Sequence, residues 1–147
     1  MQSIDDYLVR QAKQFEAELC EFLRIPSVST DPAHRDDMRR AADAILAMGP
    51  TAVLVKGGHL EGTDDASDLI VDEGGETWLS APRIDTPHTH GTGCTLSAAI
   101  AAHLARGDPL RTAVAAGKAF VTEAIRHALA IGRGIGPVDQ LWSIPRP

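Results

Sequence analysis

Aromatic side chains are scarce in this sequence: three Phe, two Trp and one Tyr make up 4% of 147 residues. A core must therefore come from the alanine, valine, leucine and isoleucine that supply most of the 44% hydrophobic content. Cysteine is scarcer still. Cys20 and Cys94 stand far apart in unlike contexts, which excludes a disulfide-stapled scaffold and predicts two free thiols. Positive charge is in deficit, 14 Lys and Arg against 20 Asp and Glu, for a formal net charge of −6. That balance excludes nucleic acid and an anionic membrane as main partners. It leaves room for a nucleotide, because a local site can be positive on an acidic protein. No run is long and apolar enough to span a bilayer, and the polar start Met1–Asp6 lacks the basic and apolar regions of a signal peptide, so the expected compartment is the cytoplasm. No Cys-x-x-Cys or His-Glu-x-x-His spacing occurs, and no metal site is expected. The length suits one domain with its own core.

What is present reads as α/β. Residues 3–24 carry Leu8, Ala12, Phe15, Leu19, Phe22 and Leu23 at helical spacing, behind a capping-box-like Ser3…Asp6, and Ile25-Pro26 ends that helix. A second helix is predicted from His34 to Met48, with Met38, Ala41, Ala42, Ile45 and Leu46 facing inward and Gly49-Pro50 stopping it. Ala52–Val55 is a short continuous apolar run, which predicts a strand buried on both faces, as in a parallel sheet. Lys56-Gly57-Gly58-His59 follows at its C-terminal end, where open α/β sheets bind ligands. Asp68–Asp72 and Glu76–Ser80 flank Glu73-Gly74-Gly75 and predict a β-hairpin. Two more helices are expected, from Gly93 to Arg106 and from Pro109 to Ile131, the second with Leu110, Val114, Ala119, Phe120, Ile125 and Leu129 on its apolar face. The tail beyond Gly132 reads as irregular. Helix, strand, hairpin, helix, helix supplies too few strands for a complete doubly wound sheet.

The stretch with most chemical content is His88-Thr89-His90-Gly91-Thr92-Gly93-Cys94, a glycine-punctuated turn that runs straight into an alanine-rich helix. Gly91 and Gly93 let the backbone aim successive N–H groups at one point, and the following helix adds its unsatisfied amides and positive dipole end there. Phosphate is the usual occupant of such a site.

Val53–Leu60 together with Ala81–Ala101 resembles the hydroxymethylpyrimidine/phosphomethylpyrimidine kinases of thiamine biosynthesis, members of the ribokinase-like superfamily; the helix Ala115–Ile125 is similar as well. The resemblance runs from about Met38 to the C-terminus and implies the C-terminal half of a ribokinase-like fold. It implies ATP and Mg2+ as cofactors and a small pyrimidine as acceptor. Residues 16–34 resemble instead the N-terminal helix and loop of zinc-dependent dipeptidases and deacylases, whose metal ligands come later and have no counterpart here. The expected division is therefore a peptidase-like segment 1–37 and a kinase portion 38–147, as a truncated or chimeric form of the enzyme.

The resemblance assigns roles residue by residue. Gly91 and Gly93 form the anion hole, and Cys94 stands where most of the superfamily places an aspartate base. A thiol at a helix N-terminus has its thiolate favoured and can accept or orient the proton of a primary alcohol. Alone, Cys94 reads as a small core cysteine. Lys56, one of three lysines among eleven arginines, and Gly57 are assigned to nucleotide phosphates. Alone, Lys56 reads as a solvated strand end. Thr92 either donates to a phosphate or caps the helix, and Lys118 either lies near the nucleotide or sits on the helix surface. His59, His88 and His90 are zinc-ligand types without zinc-site spacing, and the family carries them without zinc.

The pyrimidine pocket of these kinases comes largely from strands that precede the matching region, and their Asn-x-x-Glu motif is reduced here to Glu16, which receives no metal role. Two other readings follow: a non-catalytic nucleotide-binding fragment, and a zinc dipeptidase-like protein. The uncovered sheet edge and apolar surface also lead to an expected homo-oligomer.

Overall fold

The computed structural model describes residues 3–28, 31–57 and 65–145. Its chain forms two compact units, Met1–Glu61 with Leu69–Thr77 and Gly62–Asp68 with Trp78–Pro147. The boundary expected near residue 37 falls inside a helix of the first unit.

In the first unit, α1 (Ile4–Leu23) begins at Ser3, whose Oγ accepts the Asp6 N–H at 3.1 Å. The hydroxyl satisfies one of the amides that a helix start leaves over. None of its residues is buried; Leu8, Phe15, Leu19 and Leu23 remain exposed, so the apolar face read from the sequence exists but is not covered by the described residues. A 3₁₀ turn, Pro32–His34, leads into α2 (Arg35–Leu46). Ala41 and Ala42 are buried and Met38, Ile45 and Leu46 half-buried, as the spacing predicts. Arg39 on α2 forms a forked pair with Glu76, Nε to Oε2 at 2.5 Å and Nη2 to Oε1 at 2.6 Å. That bidentate geometry holds the guanidinium's pKa above its usual value.

Among the described residues the sheet has three strands in the order β1 (Ala52–Lys56), β2 (Asp68–Asp72), β3 (Gly75–Leu79), and is antiparallel. The expectation of a strand buried on both faces of a parallel sheet is corrected on this point. β1 lies at the edge with only Val53 buried, whereas the central β2 is buried from Asp68 through Val71. An apolar run of four does not distinguish an edge from a centre; strand order does. The β2–β3 turn is the predicted one, with Gly75 taking the positive φ of +96° and the Asp72 carboxylate accepting the Gly74 N–H at 2.8 Å.

The second unit is built on a helical hairpin, α3 (Thr92–Ala105) and α4 (Leu110–Arg126). Gly117 lets them approach closely, since a Cβ there would lie 2.7 Å from Ile100 Cγ1 and 3.3 Å from Leu96 Cδ1. The inward stripe of α4 is Ala113, Val114, Gly117, Lys118, Val121 and Ala124. Ala119, expected inside, is exposed, and Phe120 is half-buried beside the Trp142 ring at 6.2 Å. α4 also stops five residues short of the expected end. Beyond it the Leu129 N–H turns away to the Pro137 carbonyl at 2.9 Å. The tail is irregular but closely packed: Val138 is 1% exposed and joins Leu96 and Val114 in this unit's core. Each such side chain contributes about 1.5–3 kcal/mol by leaving water.

Candidate functional site

The turn before α3 has the backbone geometry that its glycines imply. Gly91 is the N-cap, at φ +86° and ψ 2°, a conformation that costs a side-chain-bearing residue about 1–2 kcal/mol. Its carbonyl accepts the Thr95 N–H at 2.9 Å, and the Thr92 N–H goes back to the Thr89 carbonyl at 3.3 Å. Among the described residues the Gly93 and Cys94 amides have no hydrogen-bond acceptor, and both residues are exposed. Two donors at the positive end of a 14-residue helix therefore face outward. That is a place for an anion.

Cys94 lies in the first turn of α3 with its thiol exposed, not in the core. Cys20 is likewise a free, exposed thiol. Thr92 does not cap the helix, since that place belongs to Gly91. Its Oγ1 donates to the Thr89 carbonyl at 2.6 Å, which leaves the hydroxyl oxygen as an acceptor only. Lys56 is exposed at the end of β1 in the other unit and Gly57 after it is buried, while Gly58 and His59 lie outside the described residues.

Lys118 departs furthest from its reading as a helix-surface residue. It sits on the inward stripe of α4, with Nζ donating to Asp68 Oδ2 at 2.8 Å and to the Ala66 carbonyl at 2.7 Å. The two side chains are only 11% and 4% exposed. A wheel drawn through Val114, Gly117, Val121 and Ala124 puts residue 118 on the buried face, and that signal was legible in the sequence.

Sequence reasoning weighed His88 only as a zinc-ligand type and missed its structural part. Its half-buried ring accepts the Gly136 N–H on Nδ1 at 2.9 Å, so the ring proton resides on Nε2. His90 is exposed, but its backbone pairs with the tail: its N–H donates to the Gly136 carbonyl at 3.2 Å and its carbonyl accepts the Val138 N–H at 3.0 Å. Among the described residues no group of three or more His, Cys, Asp or Glu could hold a metal ion. No helix there is long and apolar enough to cross a membrane.

Comparison with known proteins fits this arrangement. The Bacillus subtilis pyridoxal kinase, solved as an ADP complex, superposes with a TM-score of 0.70 at 38% identity over 74% of this chain and 41% of its own. The Staphylococcus aureus pyridoxal kinase, solved with AMP-PCP and pyridoxal, gives 0.70 at 35% identity over 74% and 40%. The fold is thus that of the ribokinase-like kinases. Among curated relatives, the hydroxymethylpyrimidine/phosphomethylpyrimidine kinase of Streptomyces coelicolor is 46% identical over 98% of this chain and 52% of its own length. That of Rhizobium meliloti is 56% identical over 69% and 39%. The sequence model of the phosphomethylpyrimidine kinase family matches residues 1–139, and the chain belongs to that family. The match begins at residue 1, so the segment that resembles zinc dipeptidases lies within it. The chain spans about half, or less, of the length of the curated relatives it matches.

Proposed function

We propose that this chain carries the phosphate-binding and transfer loop of an ATP-dependent kinase acting on hydroxymethylpyrimidine or its monophosphate in thiamine diphosphate biosynthesis. The observation behind this reading is the pair of outward amides at Gly93 and Cys94, set by a left-handed Gly91, in a chain of this family. Phosphoryl transfer needs mainly positioning and stabilisation of charge on the moving group. In this reading the two amides and the helix end receive the phosphoryl oxygens. Cys94 Sγ takes or orients the proton of the attacking hydroxyl, and Lys56, Gly57 and Thr92 serve the nucleotide phosphates. Thr92 can do so only by accepting, because its hydroxyl proton is committed. Lys118 is assigned to holding the second unit together. ATP supplies the phosphoryl group. Mg2+ accompanies the nucleotide, but the described residues do not offer a cluster to hold it, and no step is derived through it.

Calorimetry with MgATP, with and without hydroxymethylpyrimidine, tests the reading together with a phosphoryl-transfer assay. Wild type is expected to bind MgATP and to phosphorylate the pyrimidine. Cys94→Ala is expected to bind the nucleotide equally while transfer falls by about 10²–10⁴-fold, the range for a lost acid–base group. The second reading is nucleotide binding without turnover. It requires MgATP binding but no transfer to hydroxymethylpyrimidine, its monophosphate or pyridoxal, in wild type and Cys94→Ala alike. Absence of MgATP binding overturns both. A cytoplasmic location belongs to the same reading, and so does self-association through the exposed apolar residues of α1. A clean monomer by sedimentation would count against the latter.

A further inference from the structure

The tail returns to the loop that precedes α3 and is tied to it at three points. His90 and Pro137 form a parallel bridge through the two backbone hydrogen bonds described above, and Gly136 N–H is received by His88 Nδ1. The same tail is tied to the end of α4, where Asp139 N–H donates to the Ala124 carbonyl at 2.9 Å and Leu129 N–H to the Pro137 carbonyl. Val138, buried between these attachments, comes within 3.9 Å of where a Cβ on Gly91 would stand. Gly136 has no room for a side chain: a Cβ there would press on the Leu129 carbonyl oxygen and lie 2.8 Å from His88 Nδ1.

We propose that residues 136–140 are a positioning strap for the phosphate loop, with His88 as its latch. Gly91 must be held in a left-handed conformation for the Gly93 and Cys94 amides to point outward together. The strap holds the residue before it, His90, by two backbone hydrogen bonds, and is itself tied to the last turn of α4 through Asp139 N–H and the Ala124 carbonyl. His88 completes the attachment with its unprotonated Nδ1, the acceptor for the tail's Gly136 N–H. His88 and Gly136 are thus positioning residues, acting on a bound phosphate only through the loop. This inference rests on the phosphate reading of the loop.

The test compares His88→Leu, which removes the acceptor, with His88→Asn, whose Oδ1 falls where Nδ1 was. Gly136→Ala is the harsher variant and need not fold for the test to decide. Amide hydrogen exchange at His90 and Val138 and the MgATP dissociation constant are measured on the full chain, with the urea midpoint as control. His88→Leu is expected to speed exchange at those two amides about tenfold, the effect of one lost hydrogen bond, and to weaken MgATP about tenfold, with the urea midpoint falling by no more than that one bond accounts for. His88→Asn is expected to stay within about twofold of wild type in both, by the same count of hydrogen bonds. Unchanged exchange in His88→Leu overturns the strap, as does equal acceleration in both variants or acceleration spread evenly through α3 and α4. If wild type binds no MgATP, the phosphate reading fails, and the exchange contrast still decides whether the strap exists.

Discussion

Removing the Lys118 ammonium discriminates between two physical roles for that residue. Lys118→Met keeps the stem of the side chain and deletes the head that donates to Asp68 Oδ2 at 2.8 Å and to the Ala66 carbonyl at 2.7 Å. Asp68, with its side chain 4% exposed, is then left buried without this cation. Breaking a buried pair in this one-sided way costs about 3–5 kcal/mol, because the remaining charge stays desolvated. Against the 5–15 kcal/mol typical of a whole domain, that is a large share. In a chain of this size it corresponds to a fall in Tm of about 6–20 °C. Urea unfolding at pH 7, followed by circular dichroism, measures the loss, and the companion double variant Lys118→Met/Asp68→Leu tests its origin. Removing both charges is expected to recover most of the stability lost in the single variant. The reasoning is refuted if Lys118→Met costs less than about 1 kcal/mol, no more than an ordinary surface substitution. It is refuted with particular force if MgATP affinity falls while stability holds, since Lys118 would then serve the nucleotide.

Other expectations concern packing, the thiol and pH. Gly117→Val places a branched side chain where Ile100 Cγ1 already lies 2.7 Å from an ideal Cβ. It is expected to cost about 1–3 kcal/mol by overpacking the α3–α4 contact, read from the urea midpoint. Cys94→Ala is expected to change stability by no more than about 0.5 kcal/mol, because the side chain is exposed, so any large loss of phosphoryl transfer in it is chemical. The hydrogen bond from His34 Nδ1 at 2.8 Å, with the Arg40 guanidinium on the other oxygen, holds the Asp37 carboxyl below its ordinary 3.8. A carboxylate with a depressed folded-state pKa stabilises above its unfolded value and loses that contribution as pH falls through the folded one. The stability gap between wild type and Asp37→Asn is therefore expected to be flat from neutral pH down to about 4 and to close below it. A gap that widens in acid would contradict this.

The helices were legible because each carries its own punctuation. Ser3 and Pro26 bracket α1, Gly49-Pro50 closes α2, and Gly107 and Pro109 separate α3 from α4. These signals act within a few residues, so a local reading finds them. β1 was misjudged for the opposite reason. Its apolar run states that it is buried somewhere, but its neighbours along the sheet are set by residues far away in the chain, and Leu69-Ile70-Val71 took the central place. The end of α4 belongs to the same class: nothing near Arg126 marks it, and the competitor for the next amide is the carbonyl of Pro137.

The candidate site divides along the same line. Gly91, Gly93 and Cys94 announce themselves, because a left-handed N-cap and an outward thiol are consequences of a seven-residue sequence. What keeps that turn in place is nonlocal. His88 and Gly136 are 48 positions apart, and Asp68 and Lys118 are 50 apart. A histidine three residues before a glycine turn resembles a ligand, and a lysine on a helix resembles a solvated charge. Both readings assume that a polar side chain in a short sequence window faces water. Here each faces a buried partner from another segment: an amide that needs an acceptor at that spot, and a carboxylate that needs a cation beside it. The chemistry of the loop is therefore written in the loop, while its rigidity is written in the tail and in α4. Substitutions far from Cys94 in sequence are accordingly expected to change the site as much as substitutions beside it.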